Sequence, residues 1–206
     1  AAVQEKRQYT VVPFAAAGHE TTAKAMTWTL YLMAHARDWQ ARVRDEIARV
    51  VGTGPVIAAH LDGLETTRRV IKEAMRLYPP APVMGRMARE PVTIGGHALP
   101  KGAMLIIPIW AIHRHRKLWS DPDLFDPDRF APEREETMKR TQCMPLGFGP
   151  RTCIGMSFAM IEATVLLVHA LRGADFACAE NLAPEPVSRV TLRPRNGMPL
   201  VVRTRV

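Results

Sequence analysis

The sequence lacks any uninterrupted apolar run of the roughly 18–20 residues needed to span a bilayer, so no membrane segment is expected in this chain. Its start does not resemble a secretory leader, because Gln4, Glu5, Lys6 and Arg7 come before any apolar stretch. The expected setting is therefore soluble and cytoplasmic, subject to whatever an amino-terminal extension would carry. Cysteine is sparse. Cys143, Cys153 and Cys178 are an odd number at wide spacing, which excludes a disulfide framework, and no C-x-x-C pair is present to hold zinc. One cysteine with a special task, beside two small apolar fillers, fits this count better. Aromatics are also few, at 6%, and the densest basic cluster, His113 to Lys117, has none interleaved for stacking on bases. The formal charge of +8 is therefore read as solvated surface, and nucleic acid is not an expected partner.

What is present describes a folded chain of 206 residues, 47% hydrophobic and 23% charged with mixed signs. Phe14 to Ala36 is rich in Ala, Met, Leu and Trp without a proline, and it predicts a long, largely buried helix. Pro13 is expected as its first helical residue, where a missing N–H costs nothing. A more polar helix opens at Asp38 and ends at Gly52-Thr53-Gly54-Pro55. A third runs from about Leu64 to Tyr78, with Val70, Ala74 and Leu77 on one face and Pro79-Pro80 as its stop. Residues 92–109 read as small antiparallel strands. Residues 119–150, dense in Asp, Pro and Gly, read as a long irregular segment, and a loop of that length is usually functional. Met156 to Leu171 returns as a helix apolar almost all round and hence expected to be buried. Short strands close the chain near Val190-Thr191-Leu192 and Leu200-Val201-Val202. The fold class is mainly α with small antiparallel β-sheets.

Two stretches carry chemistry. In Pro145-Leu146-Gly147-Phe148-Gly149-Pro150-Arg151-Thr152-Cys153-Ile154-Gly155, three glycines and two prolines make a tight loop whose backbone can lie close to something flat. It delivers Cys153 just before a helix amino terminus, a setting that suits a sulfur anion acting as nucleophile or metal ligand. Arg151 adds a cation suited to a carboxylate. An isolated cysteine beside such a turn would ordinarily be only a buried filler. The second stretch, Ala17-Gly18-His19-Glu20-Thr21-Thr22, puts a glycine costing about 1 kcal/mol and three polar groups into an apolar helix. It is either a solvent-facing turn or a place where a flat ligand approaches and protons are handled.

Taken together these residues resemble the cytochrome P-450 family of haem-thiolate monooxygenases. The match is to F-x-x-G-x-R-x-C-x-G at Gly149, Arg151, Cys153 and Gly155, with Leu146 in place of the usual leading aromatic, and to A/G-G-x-D/E-T-T at Ala17 to Thr22. The resemblance implies that Cys153 is the axial ligand of the iron of haem b, and that Arg151 and Arg86 contact its propionates. It implies that Thr21 hydrogen-bonds dioxygen while Glu20 relays protons. Glu73 and Arg76, at i and i+3 on the third helix, together with Arg129 in Pro127-Asp128-Arg129-Phe130, would form a scaffold triad under the cysteine loop; Asp128 replaces a more usual Glu. The expected reaction is insertion of one oxygen atom of O2 into a small organic substrate, with electrons from a ferredoxin or a flavin reductase domain. Ala17 and Met84 are the candidates here for touching substrate.

By that resemblance residues 14–206 are the haem-binding carboxy-terminal part of the fold, residues 1–13 are atypical, and the amino-terminal half is absent. A truncated remnant with weak or no haem binding is the alternative to an enzyme. Three other features carry less. His113-x-His115 resembles a metal pair, but two histidines flanked by arginines are more often exposed. Gly155-Met156-Ser157-Phe158-Ala159 half matches a nucleophile elbow without the strand before it. His19 is expected to have no catalytic part.

Overall fold

A computed structural model describes residues 2–179 and 183–205, with side chains from Phe14 onward. Helix α1 spans Ala2–His35. It corrects the expectation that the helix begins at Pro13: the backbone is helical on both sides of that residue. A proline inside a helix deletes one hydrogen bond and costs about 3 kcal/mol, yet here that is one rung among 34 residues. Burial is also less complete than expected. Residues 14–20 are exposed, and the buried face starts at Thr22 and continues through Ala25, Met26, Trp28, Thr29, Leu32 and Met33.

Helix α2 (Arg37–Val50) buries Trp39, Val43 and Ile47 and stops where Gly52, at φ 64°, turns left-handed and returns its N–H to the Ile47 carbonyl. Gln40, also buried, donates to the Met33 and Phe176 carbonyls at 2.7 Å each and accepts from the Phe176 N–H. Helix α3 (Glu65–Leu77) has no side-chain cap of its own at Leu64. Glu46 of α2 supplies one instead: its carboxylate accepts from Thr66 N (2.6 Å), Thr67 N (2.8 Å) and Thr67 Oγ1 (2.7 Å). Glu46→Ala leaves three donors at the helix start without their acceptor and should lower unfolding stability by about 1–3 kcal/mol in urea titrations, with unchanged m-value. An unaltered midpoint would show the cap to be idle.

Among the described residues four two-stranded antiparallel sheets follow, all small. Strand β1 (Met84–Met87) pairs with β4 (Met104–Ile107), and β2 (Val92–Ile94) with β3 (His97–Leu99). The β2–β3 turn is Gly95-Gly96, both at positive φ, as a two-residue hairpin of primed type requires. Single-turn helices α4 (Ile109–Ile112) and α5 (Pro132–Glu135) flank an otherwise irregular stretch. Helix α6 (Met156–Gly173) leads into β5 (Ala174–Cys178), which pairs with β8 (Leu200–Thr204), while β6 (Pro186–Ser188) pairs with β7 (Leu192–Pro194).

The core lies where α1, α2, α3 and α6 meet, around Met33, Val43, Leu64, Ile71 and Leu167. Trp28 stacks on Tyr78 at 3.9 Å and donates to the Leu192 carbonyl, tying α1 to the end of α3 and to β7. Helix α6 differs from expectation. It buries one stripe, Ala163, Thr164, Leu167, Val168 and Leu171, and leaves Met156, Phe158, Ile161 and Leu166 exposed. Apolar composition all round a helix says that every face suits burial, not that every face has a neighbour. Among the described residues α6 is the one helix long and apolar enough to cross a bilayer by length and composition; here its buried stripe faces α1, α2 and α3.

Candidate functional site

The site is built on a buried ion cluster. Glu73 and Arg76, both with side chains 0% exposed, meet through two parallel bonds, Arg76 Nε to Glu73 Oε2 at 2.6 Å and Nη2 to Oε1 at 2.8 Å. The three remaining guanidinium hydrogens go to the carbonyls of His113, Pro122 and Leu124. All five donors of the fork are thus used, which is what makes a buried arginine tolerable. Glu73 also accepts from the Asp126 N–H at 3.0 Å, and Arg129 Nε stands 3.4 Å from the same carboxylate. Burial pushes the Glu73 carboxyl upward, against the hydrogen bonds and charges of Arg76, Asp126 N–H and Arg129. Arg129 donates to the carbonyl of Asp121, the non-glycine residue held at φ 46°. The three residues expected to form a triad are therefore in mutual reach through Glu73, and they gather the irregular stretch around the end of α3.

His113 departs from its reading as an exposed residue: it is fully buried. Its ring sits between Arg76 O (3.0 Å from Nδ1) and Met144 N (2.9 Å from Nε2). Burial, reinforced by the charges of Arg76 and Arg114, pushes its pKa down to about 4. His115 remains exposed. Spacing along the chain gave no warning, because the partners of the ring lie 37 and 31 residues away.

From Met144 the cysteine loop folds on itself. Gly147 N–H donates to the Met144 carbonyl at 3.0 Å, Thr152 N–H to Gly149 O at 3.0 Å, and Cys153 N–H to Leu146 O at 2.9 Å. Gly147 is at φ 82°, and a Cβ there would come 3.3 Å from the Arg151 carbonyl, so glycine answers both a backbone and a space requirement. Gly155 caps α6, and a Cβ on it would stand 3.9 Å from Cys153 Sγ. The thiol of Cys153 is exposed. So are the apolar side chains around it, Phe148, Met156, Phe158 (72%) and Ile154 (89%). Arg151 is exposed and makes no side-chain hydrogen bond or ion pair with the described residues. Among the described residues the side chain of Arg86, on β1, donates only to the neighbouring Gly85 carbonyl, at 2.8 Å. Neither guanidinium has a carboxylate partner among those residues.

On α1, Glu20 accepts from Thr191 Oγ1 at 2.8 Å, and Thr21 Oγ1 donates to the Ala17 carbonyl at 2.5 Å, leaving its oxygen free to accept. Thr21 and Thr22 line a small cavity of about 20 Å³ together with Leu146, Met160 and Ala163, so the polar stretch of α1 and the cysteine loop meet there. A larger groove of about 640 Å³ is walled by the loop and by Met75, Phe130, Cys143 and Met156. Cys153 lines neither, and no hydrogen bond or ion pair among the described residues joins it to Glu20, Thr21, Arg86 or Arg151.

The other cysteines differ from each other. Cys143 is an inert thiol, its pKa pushed up to about 12 by burial and the nearby Glu73 charge. Cys178, expected as an apolar filler, instead lies 2.9 Å from Nδ1 of His35. Neither that pair, nor Gln40, nor Glu46 carried a sequence signal, since each contact exists only once the helices pack.

The sequence matches the profile of the cytochrome P-450 family over residues 4–200. It is 40% identical over 188 residues to a cytokinin hydroxylase of Arabidopsis thaliana, covering 90% of this chain and 36% of that protein. It is 38% identical over 192 residues to the taurochenodeoxycholic 6 alpha-hydroxylase of Sus scrofa, covering 92% of this chain and 38% of that one. The chain thus spans little more than a third of the length of the curated relatives it matches.

Proposed function

The chain belongs to the cytochrome P-450 family, and from that premise we propose that it is the haem-binding part of a monooxygenase acting on organic molecules, with Cys153 the axial iron ligand. The observation that carries this reading is the setting of Cys153. Its thiol is uncovered at the start of α6, in a loop closed by its own backbone bonds and surrounded by exposed apolar side chains. A flat, apolar, doubly carboxylated macrocycle fits such a surface: Cys153 offers the sulfur, the glycines leave room, and Arg86 and Arg151 are available for the carboxylates.

When bound, haem supplies dioxygen binding and the oxidising power to place an oxygen atom in a C–H bond. The protein's part is position, protons and exclusion of water. Thr21, whose own hydrogen is committed to Ala17, keeps an oxygen able to receive a proton bond, and Glu20 beside it is the acid that restores protons to that spot. Leu146, in place of the aromatic the family usually has, holds the Cys153 N–H on its carbonyl and leaves the thiol uncovered. Glu73, Arg76 and Arg129 make no chemical step and hold the loop's surroundings rigid. The charge of +8 suits an acidic electron donor, such as a ferredoxin or a flavin domain. Reduction by such a donor should slow as salt is added; a salt-independent rate would argue against it.

A second reading, that this length of chain takes up haem weakly or not at all, draws on the same exposed side chains, above all Ile154 and Phe158. A haemin titration separates the two. On reduction and addition of carbon monoxide, a strongly red-shifted, thiolate-type Soret band is expected, and Cys153→Ala should abolish it. Absence of haem uptake would overturn the enzymatic reading for this chain.

A further inference from the structure

We propose that His113 is a positioning residue for the cysteine loop, its neutral ring acting as a two-ended tether between Arg76 on the buried ion cluster and Met144 at the loop's root. The proton position follows from the partners. Arg76 O can only accept, so Nδ1 carries the hydrogen; Met144 N–H can only donate, so Nε2 presents its lone pair. One tautomer satisfies both, and the imidazolium satisfies only one. The ring is sealed from solvent, so no water stands in for a lost partner. The charged groups that bear on it, Arg76 from α3 and Arg114 from its own segment, are both cations and oppose a second proton, while Glu73 is committed to Arg76.

The tether has a defined reach. Met144, held by the ring, gives its carbonyl to Gly147 N–H; Leu146 then gives its carbonyl to Cys153 N–H. A shift of Met144 therefore moves the acceptors that fix the cysteine's own backbone. The far end of the loop is pinned by α6, through Ala159 N–H on Gly155 O. His113 is the corresponding pin at the near end, and it is the one side chain bonded to Met144 among the described residues. Arg76 grips the same residue in return, since its Nη1 donates to the His113 carbonyl at 2.8 Å.

This inference rests on the reading of the loop as the iron-binding loop only for its purpose; its test needs no haem, so the two fail separately. On the intact chain, the 15N resonances of the His113 ring should report the Nδ1–H tautomer at neutral pH. Amide exchange at Met144 should accelerate roughly tenfold to a hundredfold in His113→Leu, the fold-change matching loss of a buried acceptor. Gly147 and Cys153 should follow, while amides of Val43 and Leu167 in the core keep their protection. His113→Gln, which retains an acceptor of similar reach, should restore most of the protection. A proton on Nε2 in the native chain would overturn the proposal. So would equal Met144 exchange in the native chain and His113→Leu, or a Gln variant no better than Leu. Should the Leu variant fail to fold, the native tautomer and the Gln variant decide alone.

Discussion

Arg76→Ala is expected to destabilise the chain by about 3–5 kcal/mol, a large part of what holds a domain of this size together. The side chain is fully buried and gives all five of its hydrogens to protein acceptors, two to Glu73 and one each to the carbonyls of His113, Pro122 and Leu124. Removing it leaves Glu73 in the interior with only the Asp126 N–H and the more distant Arg129, and it takes the donor from three carbonyls, of which that of His113 is buried and those of Pro122 and Leu124 part-buried. Arg76→Lys should recover only part of the loss, because an ammonium has three hydrogens and no planar fork. Glu73→Leu combined with Arg76→Met should be less harmful than Arg76→Ala, since no unpaired charge is left behind. Urea titration of the four proteins checks the order. A loss under about 1 kcal/mol for Arg76→Ala would mean that the cluster relaxes in a way its geometry does not suggest.

Acid should weaken the fold through His113. Its ordinary pKa of 6.5 is pushed down to about 4 by burial. Between those values the unfolded chain binds a proton at this ring that the folded chain refuses, so stability rises with pH across the window and is lost as pH falls through it. Linkage makes the total about 3 kcal/mol. Glu73, whose carboxyl is pushed upward, works in the opposite direction. The difference between the native chain and His113→Gln at each pH isolates the histidine's share. That difference should shrink by about 3 kcal/mol on going from pH ~7 to pH ~4. Parallel stability curves for the two proteins would refute a buried neutral ring.

The contrast between Arg76 and His113 also shows what was readable in advance. Glu73 and Arg76 stand one helical turn apart, so the period of α3 alone puts them side by side. Arg129 joins them through an irregular stretch that no periodicity describes, and only resemblance pointed to it. The cysteine loop was legible because glycine at positive φ and proline have few other uses; Gly147 and Gly149 sit where the backbone demands them. His113 was misread because its environment is made by residues more than thirty positions away. Helices α2 and α3 ended within a residue or two of expectation, whereas Pro13 misled, since a local rule about prolines yields to the helix around it. The uncovered face of α6 was misjudged because composition reports a face's taste for burial but not its neighbours. Strands β1, β5 and β6 left no trace, being three to five residues long and containing Gly85, Ala177 or Pro186 rather than runs of β-branched residues.

The claim on which the functional account depends is that one particular cysteine of three is the iron ligand. X-ray absorption at the iron edge of the haemin-loaded chain tests it directly. The account predicts a sulfur ligand in the native chain, retained in Cys143→Ala and Cys178→Ala and lost in Cys153→Ala. Iron bound without sulfur, or a sulfur ligand that survives Cys153→Ala, would contradict it.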